Sequence, residues 1–273
     1  MRNRLEERLE TLRSRGEKGI LPYITAGDGG LDTTLEVLRA LERAGAVGIE
    51  LGLPFSDPIA DGPLLQAAAQ RALEAGTTFD RVLATVRTFR AESELPLVLM
   101  TYANPLVRRG LERACGQLAE AGLDGVLVVD LPVDEAGPLL ATTRVTGLAP
   151  IFFASPTSDD GRIRSAAQAS RGYLYAIGRL GVTGRRTELD AATLAFLRRV
   201  RGLCGELCLA AGFGLATPEQ VRSVHSVADL AIVGSALVEH IQRALASSPR
   251  PDPLRAAAAA EEFLKPMTLA PTP

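Results

Sequence analysis

Eight short apolar runs recur along the chain, at 20–26, 47–53, 97–102, 124–129, 149–154, 173–177, 207–211 and 228–233. Each is followed by a stretch with helical spacing of its apolar residues, for example Leu35, Leu38 and Leu41 after the first run. Several runs are apolar at consecutive positions, as in strands covered on both faces, and their strict alternation with helices makes the sheet parallel. Eight such units predict a sheet closed into a (β/α)8 barrel. An open, doubly wound sheet is the competing arrangement, but no Gly-x-Gly-x-x-Gly follows the first run, which disfavours its dinucleotide-binding version.

The expected helices are 31–44, 64–75, 79–90, 107–121, 134–145, 159–170, one through Leu194 and Val200, 218–224, and a last barrel helix through Ile241. A charge-rich amphipathic helix precedes the first strand. After Ser247 the chain turns Pro-rich, and the Ala256 to Ala260 run leads a terminal helix with fraying expected beyond Pro266. The expectation is one α/β domain over 1–273, with an extra N-terminal helix and a peripheral helical tail at 250–273.

Thirty basic side chains against 32 acidic ones leave no nucleic-acid footprint. The charged opening lacks the apolar core of a signal peptide, no apolar run is long enough for a membrane span, and a cytoplasmic location is expected. Cys115, Cys204 and Cys208 read as reduced thiols, and with His225 and His240 the only histidines, zinc chemistry and a Ser-His-Asp triad are disfavoured.

Chemistry concentrates in 49–62, Ile-Glu-Leu-Gly-Leu-Pro-Phe-Ser-Asp-Pro-Ile-Ala-Asp-Gly. Glu50 sits at the end of an apolar strand, and the Gly/Pro-rich loop after it carries Ser56, Asp57 and Asp61. Singly, such carboxylates cap helices or make turns; together, at a strand end and the following loop, they can converge on one bound molecule. Gly212-Phe213-Gly214 after the seventh strand and Gly234-Ser235 after the eighth are suited to bind a phosphate through backbone N–H groups at a helix start. The loop 178–189 has the length and glycines of a mobile lid, and Arg179 within it could reach an anion or a neighbouring carboxylate. Tyr175 shares a strand face with Tyr173, and a ring there either fills the core or lines the mouth of a pocket.

Pro22-Tyr23-Ile24-Thr25-Ala26-Gly27-Asp28, the 50–61 run, Tyr102-Ala103-Asn104-Pro105, Asp130-Leu131-Pro132, Gly181-Val182-Thr183-Gly184, Gly212-Phe213-Gly214 and Gly234-Ser235 occur in one order along nearly the whole chain. In that order they closely resemble the tryptophan synthase alpha subunit family. The resemblance implies a TIM barrel that cleaves indole-3-glycerol phosphate to indole and glyceraldehyde 3-phosphate, without metal or organic cofactor, and passes indole to a beta subunit in an alpha2beta2 complex. It implies Glu50 as the general acid/base, Asp61 as the acceptor of the indole N–H, and Tyr175 packed beside them. It implies an indole pocket of Tyr23, Met100, Leu127, Val129, Phe153, Thr183, Phe213 and Ile232. Gly184, Gly214, Gly234 and Ser235 would hold the phosphate, and Asp57, Asn104, Pro105 and Arg179 would form the lid and partner interface.

Some positions depart from forms common in the family: Tyr23 replaces a frequent Phe, Ala211 stands where a larger residue is usual, and Gly29-Gly30 replace a Pro-containing turn. A stand-alone lyase that releases free indole needs the same Glu and Asp, so it stays open at this stage. A catalytically silent regulatory barrel is the reading from another class, and the retained Glu50, Asp61 and phosphate glycines argue against it. A Schiff-base aldolase is disfavoured because the only lysines, Lys18 and Lys265, lie outside the strands.

Overall fold

A computed structural model describes residues 3–178, 189–247 and 250–268. Its strands are β1 (Gly19–Thr25), β2 (Ile49–Gly52), β3 (Leu97–Thr101), β4 (Gly125–Val128), β5 (Ala149–Ile151), β6 (Phe153–Ala154), β7 (Tyr173–Ile177), β8 (Cys208–Gly212) and β9 (Leu230–Val233). All pair in parallel, in the order β5-β4-β3-β2-β1-β9-β8-β7-β6. The two ends of that order are one chain segment whose ladder is interrupted at Phe152. Across this seam Arg171 N–H donates to the Pro150 carbonyl at 2.9 Å and Tyr175 N–H to that of Phe152 at 3.0 Å. An open sheet would leave two edges; here the seam joins them, and the eight expected strands form a barrel.

Period-two alternation sorts the strand residues into two cores. Ile49, Leu51, Leu97, Leu99, Leu209 and Ala211 face the surrounding helices. Leu21, Val98, Leu127, Ile151, Tyr173, Ala210 and Leu230 fill the barrel interior. Glu50 lies between Ile49 and Leu51, so it belongs to the inward set, and it pairs with Tyr23 on one side and Val98 on the other.

The helices are α1 (Arg4–Ser14), α2 (Leu31–Arg43), α3 (Pro63–Glu74), α4 (Phe79–Arg90), α5 (Ala103–Val107), α6 (Leu111–Ala121), α7 (Gly137–Thr146), α8 (Asp160–Ala169), α9 (Ala191–Leu203), α10 (Pro218–His225), α11 (Ser235–Ala246) and α12 (Pro253–Thr268). The helix expected over 107–121 is two pieces, because Gly110 between them adopts φ 80°, a left-handed conformation that no helix continues through. α1 plugs the N-terminal end of the barrel: Leu5, Leu9 and Leu12 join the interior cluster. Asp124 anchors the plug, accepting from Arg4 Nε at 2.8 Å, Arg90 Nη2 at 3.2 Å and Leu97 N–H at 2.9 Å.

The segment expected as a peripheral tail is packed into the helix layer through 268. Ala256, Ala260 and Leu264 belong to the main core, and α12 runs past Pro266 to Thr268, whose hydroxyl donates to the Ala44 carbonyl at 2.7 Å. Small alanines let α12 lie close against its neighbours, so it buries a face. Among the described residues no helix is long and apolar enough to cross a membrane.

Candidate active site

At the C-terminal ends of the strands a cavity of about 110 Å³ is walled by Tyr23, Glu50, Leu65, Met100, Tyr175, Gly212, Gly214, Ile232, Gly234 and Ser235. Residues 170 or more positions apart meet there because parallel strands all deliver their C-terminal ends to one face. Of the expected site residues, Tyr23, Glu50, Met100, Tyr175, Gly214, Ile232, Gly234 and Ser235 are brought together by this wall.

Glu50 is 1 % exposed. Its Oε1 accepts the Tyr173 hydroxyl at 2.5 Å, while its Oε2 is buried with no hydrogen-bond partner among the described residues. A buried carboxylate oxygen left bare is costly, so the environment favours the protonated acid. Burial pushes the Glu50 pKa up to about 7, against the pull of the Tyr173 bond, which favours the anion. A group so placed can give and take a proton near neutrality. Tyr173 keeps its own proton: burial first, then the nearby Glu50, push its pKa well up. Tyr173 was visible in sequence only as the face-mate of Tyr175; nothing local marked it as the partner of Glu50.

Close backbone approach makes room for the rings. A Cβ on Gly52 would lie 2.2 Å from the Tyr23 hydroxyl oxygen, and one on Gly212 would lie 2.5 Å from that of Tyr175. Tyr23 Oη and Thr25 Oγ1 are 3.3 Å apart and share a hydrogen bond that holds the first ring across Gly52.

Asp61 is half-buried on the turn that leads into α3, its N–H donating to the Pro58 carbonyl at 3.0 Å. Burial raises its pKa, and a hydrogen bond with Tyr102 opposes the rise. The Tyr102 hydroxyl also accepts Ala60 N–H at 3.0 Å, and its ring packs against Phe55 at 5.1 Å, so this tyrosine braces the whole Asp61 turn. Asp61 is outside the cavity wall itself, yet near enough to Tyr23 to disfavour its phenolate.

The glycine loops carry the anion-binding potential. α11 begins with Gly234 at its N-cap and, among the described residues, no side chain caps its first N–H groups. Neighbouring α10 differs, with Thr217 and Gln220 closing its N-terminus in a capping box. The uncapped first turn of α11 opens on the cavity, where its dipole favours a phosphate.

Other expected residues lie elsewhere. Val129 and Phe153 line an adjoining cavity of about 330 Å³ with Asp130, Leu131, Pro132 and Ile177, and Phe153 packs against Tyr175 at 5.1 Å between ring centres. Leu127 is buried in the interior cluster beside Met100 and is not part of the cavity wall. Phe213 falls on the helix-facing side of the β8 alternation, edge-on to Phe196 at 6.4 Å, and so is outside the wall that it was expected to join. Asp57 is exposed and accepts the Ser56 hydroxyl at 2.5 Å. Asn104 and Pro105 lie on α5, whose first N–H, from Ala103, donates to Asp130 Oδ1 at 2.7 Å. Arg179, Thr183 and Gly184 lie outside the described residues.

The family model described as tryptophan synthase alpha chain matches residues 9–266. The chain belongs to that family. It is similar to the tryptophan synthase alpha chain of Citrifermentans bemidjiense, 46% identical over 241 residues that cover 88% of this chain and 90% of that one. It is also similar to the solved tryptophan synthase alpha subunit of Legionella pneumophila, with a TM-score of 0.86, 36% identity, and 99% and 98% of the two chains covered. A structure titled for mutual activation of the tryptophan synthase alpha2beta2 complex of Pyrococcus furiosus aligns with a TM-score of 0.84 and 36% identity, over 91% of this chain and 97% of that one. These relatives thus align with this chain over nearly its whole length.

Proposed function

We propose that Glu50 and Asp61 carry the alpha reaction of this family in this chain, the retro-aldol cleavage of indole-3-glycerol phosphate to indole and glyceraldehyde 3-phosphate. The observation that carries the reading is Glu50: a buried carboxyl with one oxygen bonded to Tyr173 and the other without a partner among the described residues, in a cavity wall of aromatic and aliphatic side chains. Protonated Glu50 gives its proton to the ring carbon that bears the glycerol chain, and positive charge develops toward the indole nitrogen. Asp61 accepts the N–H bond and stabilises that charge. The Glu50 carboxylate then takes the proton of the hydroxyl on the adjacent chain carbon. The carbon–carbon bond breaks, its electron pair returns to the ring, and the hydroxyl carbon becomes the aldehyde. Glu50 ends as it began, protonated.

Tyr23, Met100, Tyr175 and Ile232 bound the indole, while Gly214, Gly234 and Ser235 present N–H groups to the phosphate. A beta subunit is the partner, docking at the mouth where Asp57, Asn104 and Pro105 are carried. The three cysteines are free and buried, which suits the reducing cytoplasm where we place the reaction.

Indole release by the purified chain, measured with and without a tryptophan synthase beta subunit, tests the reading. Release should be slow alone and faster with the partner. Glu50→Gln should abolish it, and Asp61→Asn should cost about 10²-fold or more, as loss of a positioned acid/base or charge-stabilising group does. Normal turnover by Glu50→Gln removes Glu50 from the mechanism, and fast release by the chain alone favours a stand-alone lyase.

A further inference from the structure

Asp28 lies in the turn between β1 and α2 and is 9 % exposed. Both of its oxygens are engaged. Arg71 of α3 donates Nε to Oδ1 and Nη2 to Oδ2, each at 2.8 Å, and Gln242 of α11 donates Nε2 to Oδ2 at 3.2 Å. A forked guanidinium on a carboxylate fixes orientation as well as distance.

The two helices joined here are those that open at the site. α3 starts at Pro63, two residues after Asp61, and α11 starts at Ser235 with its uncapped first turn. At a rise of about 1.5 Å per residue, Arg71 and Gln242 both lie roughly 10–12 Å below those starts, so the tie clamps the helices at equal depth. Above the clamp Ala68 of α3 and Val238 of α11 pack together with Tyr23. Small and β-branched side chains at that contact leave little slack, so the clamp governs how far apart the two helix mouths stand.

We propose that Asp28 is a positioning residue that sets the separation between the Asp61 loop and the first turn of α11, and so matches the site to a substrate carrying its ring and phosphate a fixed distance apart. The proposal rests on the reading that Asp61 meets the indole N–H and α11 the phosphate. A ligand held at both ends gains affinity only if the ends are correctly spaced, whereas a fragment held at one end is indifferent to the spacing.

The experiment compares Asp28→Ala, Asp28→Asn and Arg71→Lys with the unaltered chain, in complex with the beta subunit. The readouts are kcat and KM for indole-3-glycerol phosphate, and the dissociation constants of indole alone and of glycerol 3-phosphate alone. Asp28→Ala should raise KM at least about tenfold, within the 10²-fold that about 1 Å of misplacement can cost, with kcat changed less and each fragment's affinity held within about twofold. Asp28→Asn, which keeps an acceptor for Gln242, and Arg71→Lys, which keeps charge without the fork, should fall between and remain available if the alanine variant fails to fold. Fragments weakened in proportion to the substrate would mean general loosening and overturn the proposal, as would an unchanged KM in all three variants. If glycerol 3-phosphate does not compete with substrate in the unaltered chain, the site reading fails and takes the proposal with it.

Discussion

The Tyr173 hydroxyl occupies one oxygen of Glu50 and leaves the other without a partner among the described residues, so this contact fixes which way the carboxyl faces and tempers the rise that burial imposes on its pKa. Because that bond favours the anion, Tyr173→Phe should push the Glu50 pKa above its value of about 7. Turnover that needs the protonated acid falls as pH rises through that value, so the alkaline limb of the kcat profile should move to higher pH in Tyr173→Phe; an unmoved limb would separate Tyr173 from the proton transfer. Stability follows the same group. A carboxyl whose folded pKa is about 7 against an ordinary 4.5 contributes stability that is fully present below pH 4.5 and is lost as the pH rises through 7. The loss is on the order of 3 kcal/mol, and Glu50→Gln should not show it when urea unfolding at about pH 5 and about pH 8 is compared.

At the scale of elements, the strand ends place Tyr23 over Gly52 so tightly that any side chain at Gly52 collides with the phenol. Gly52→Ala should therefore displace the ring, lower stability by about 1–3 kcal/mol and reduce turnover by about tenfold or more, with Tyr23→Phe in the same chain recovering part of both; thermal melts and steady-state kinetics check this. The strands, and the places of Glu50 on a strand and Asp61 on the loop after it, were legible because short apolar runs and turn residues are local signals. What was not legible depends on partners distant in sequence: Tyr173 meets Glu50 across 123 positions, and Asp28 meets Gln242 across 214. The split between α5 and α6 went unread because apolar periodicity runs on across Gly110, whose backbone angle only the folded chain reveals. Phe213 is a related case. Its motif marks the end of β8, but the alternation it shares with Leu209 and Ala211 puts its ring in the main core cluster, against Phe196 and close over Gly178.

For the molecule as a whole, the barrel has a working end and a sealed end. Leu9, 1 % exposed, sits in the seal with Leu21, Val98 and Leu230, away from the cavity wall. Leu9→Ala should cost about 2–5 kcal/mol in denaturant unfolding while activity per folded molecule is unchanged, because the cavity left behind lies at the opposite end from the chemistry. Barrel closure could be expected from eight alternating units, but the site of the seam at Phe152 rests on hydrogen-bond geometry that composition does not encode.

The plug has a consequence for the order of events during synthesis. Its residues are made well before their partners: Asn3 bonds the Asp124 and Gly147 carbonyls, Arg4 the Asp124 carboxylate, and Glu6 accepts from Arg171. Until the chain through Arg171 has been made, the leucines of α1 have no permanent place to go. The helix is thus made long before it is secured, and a nascent chain stalled before Arg171 would present Leu5, Leu9 and Leu12 to whatever chaperone or protease is nearby.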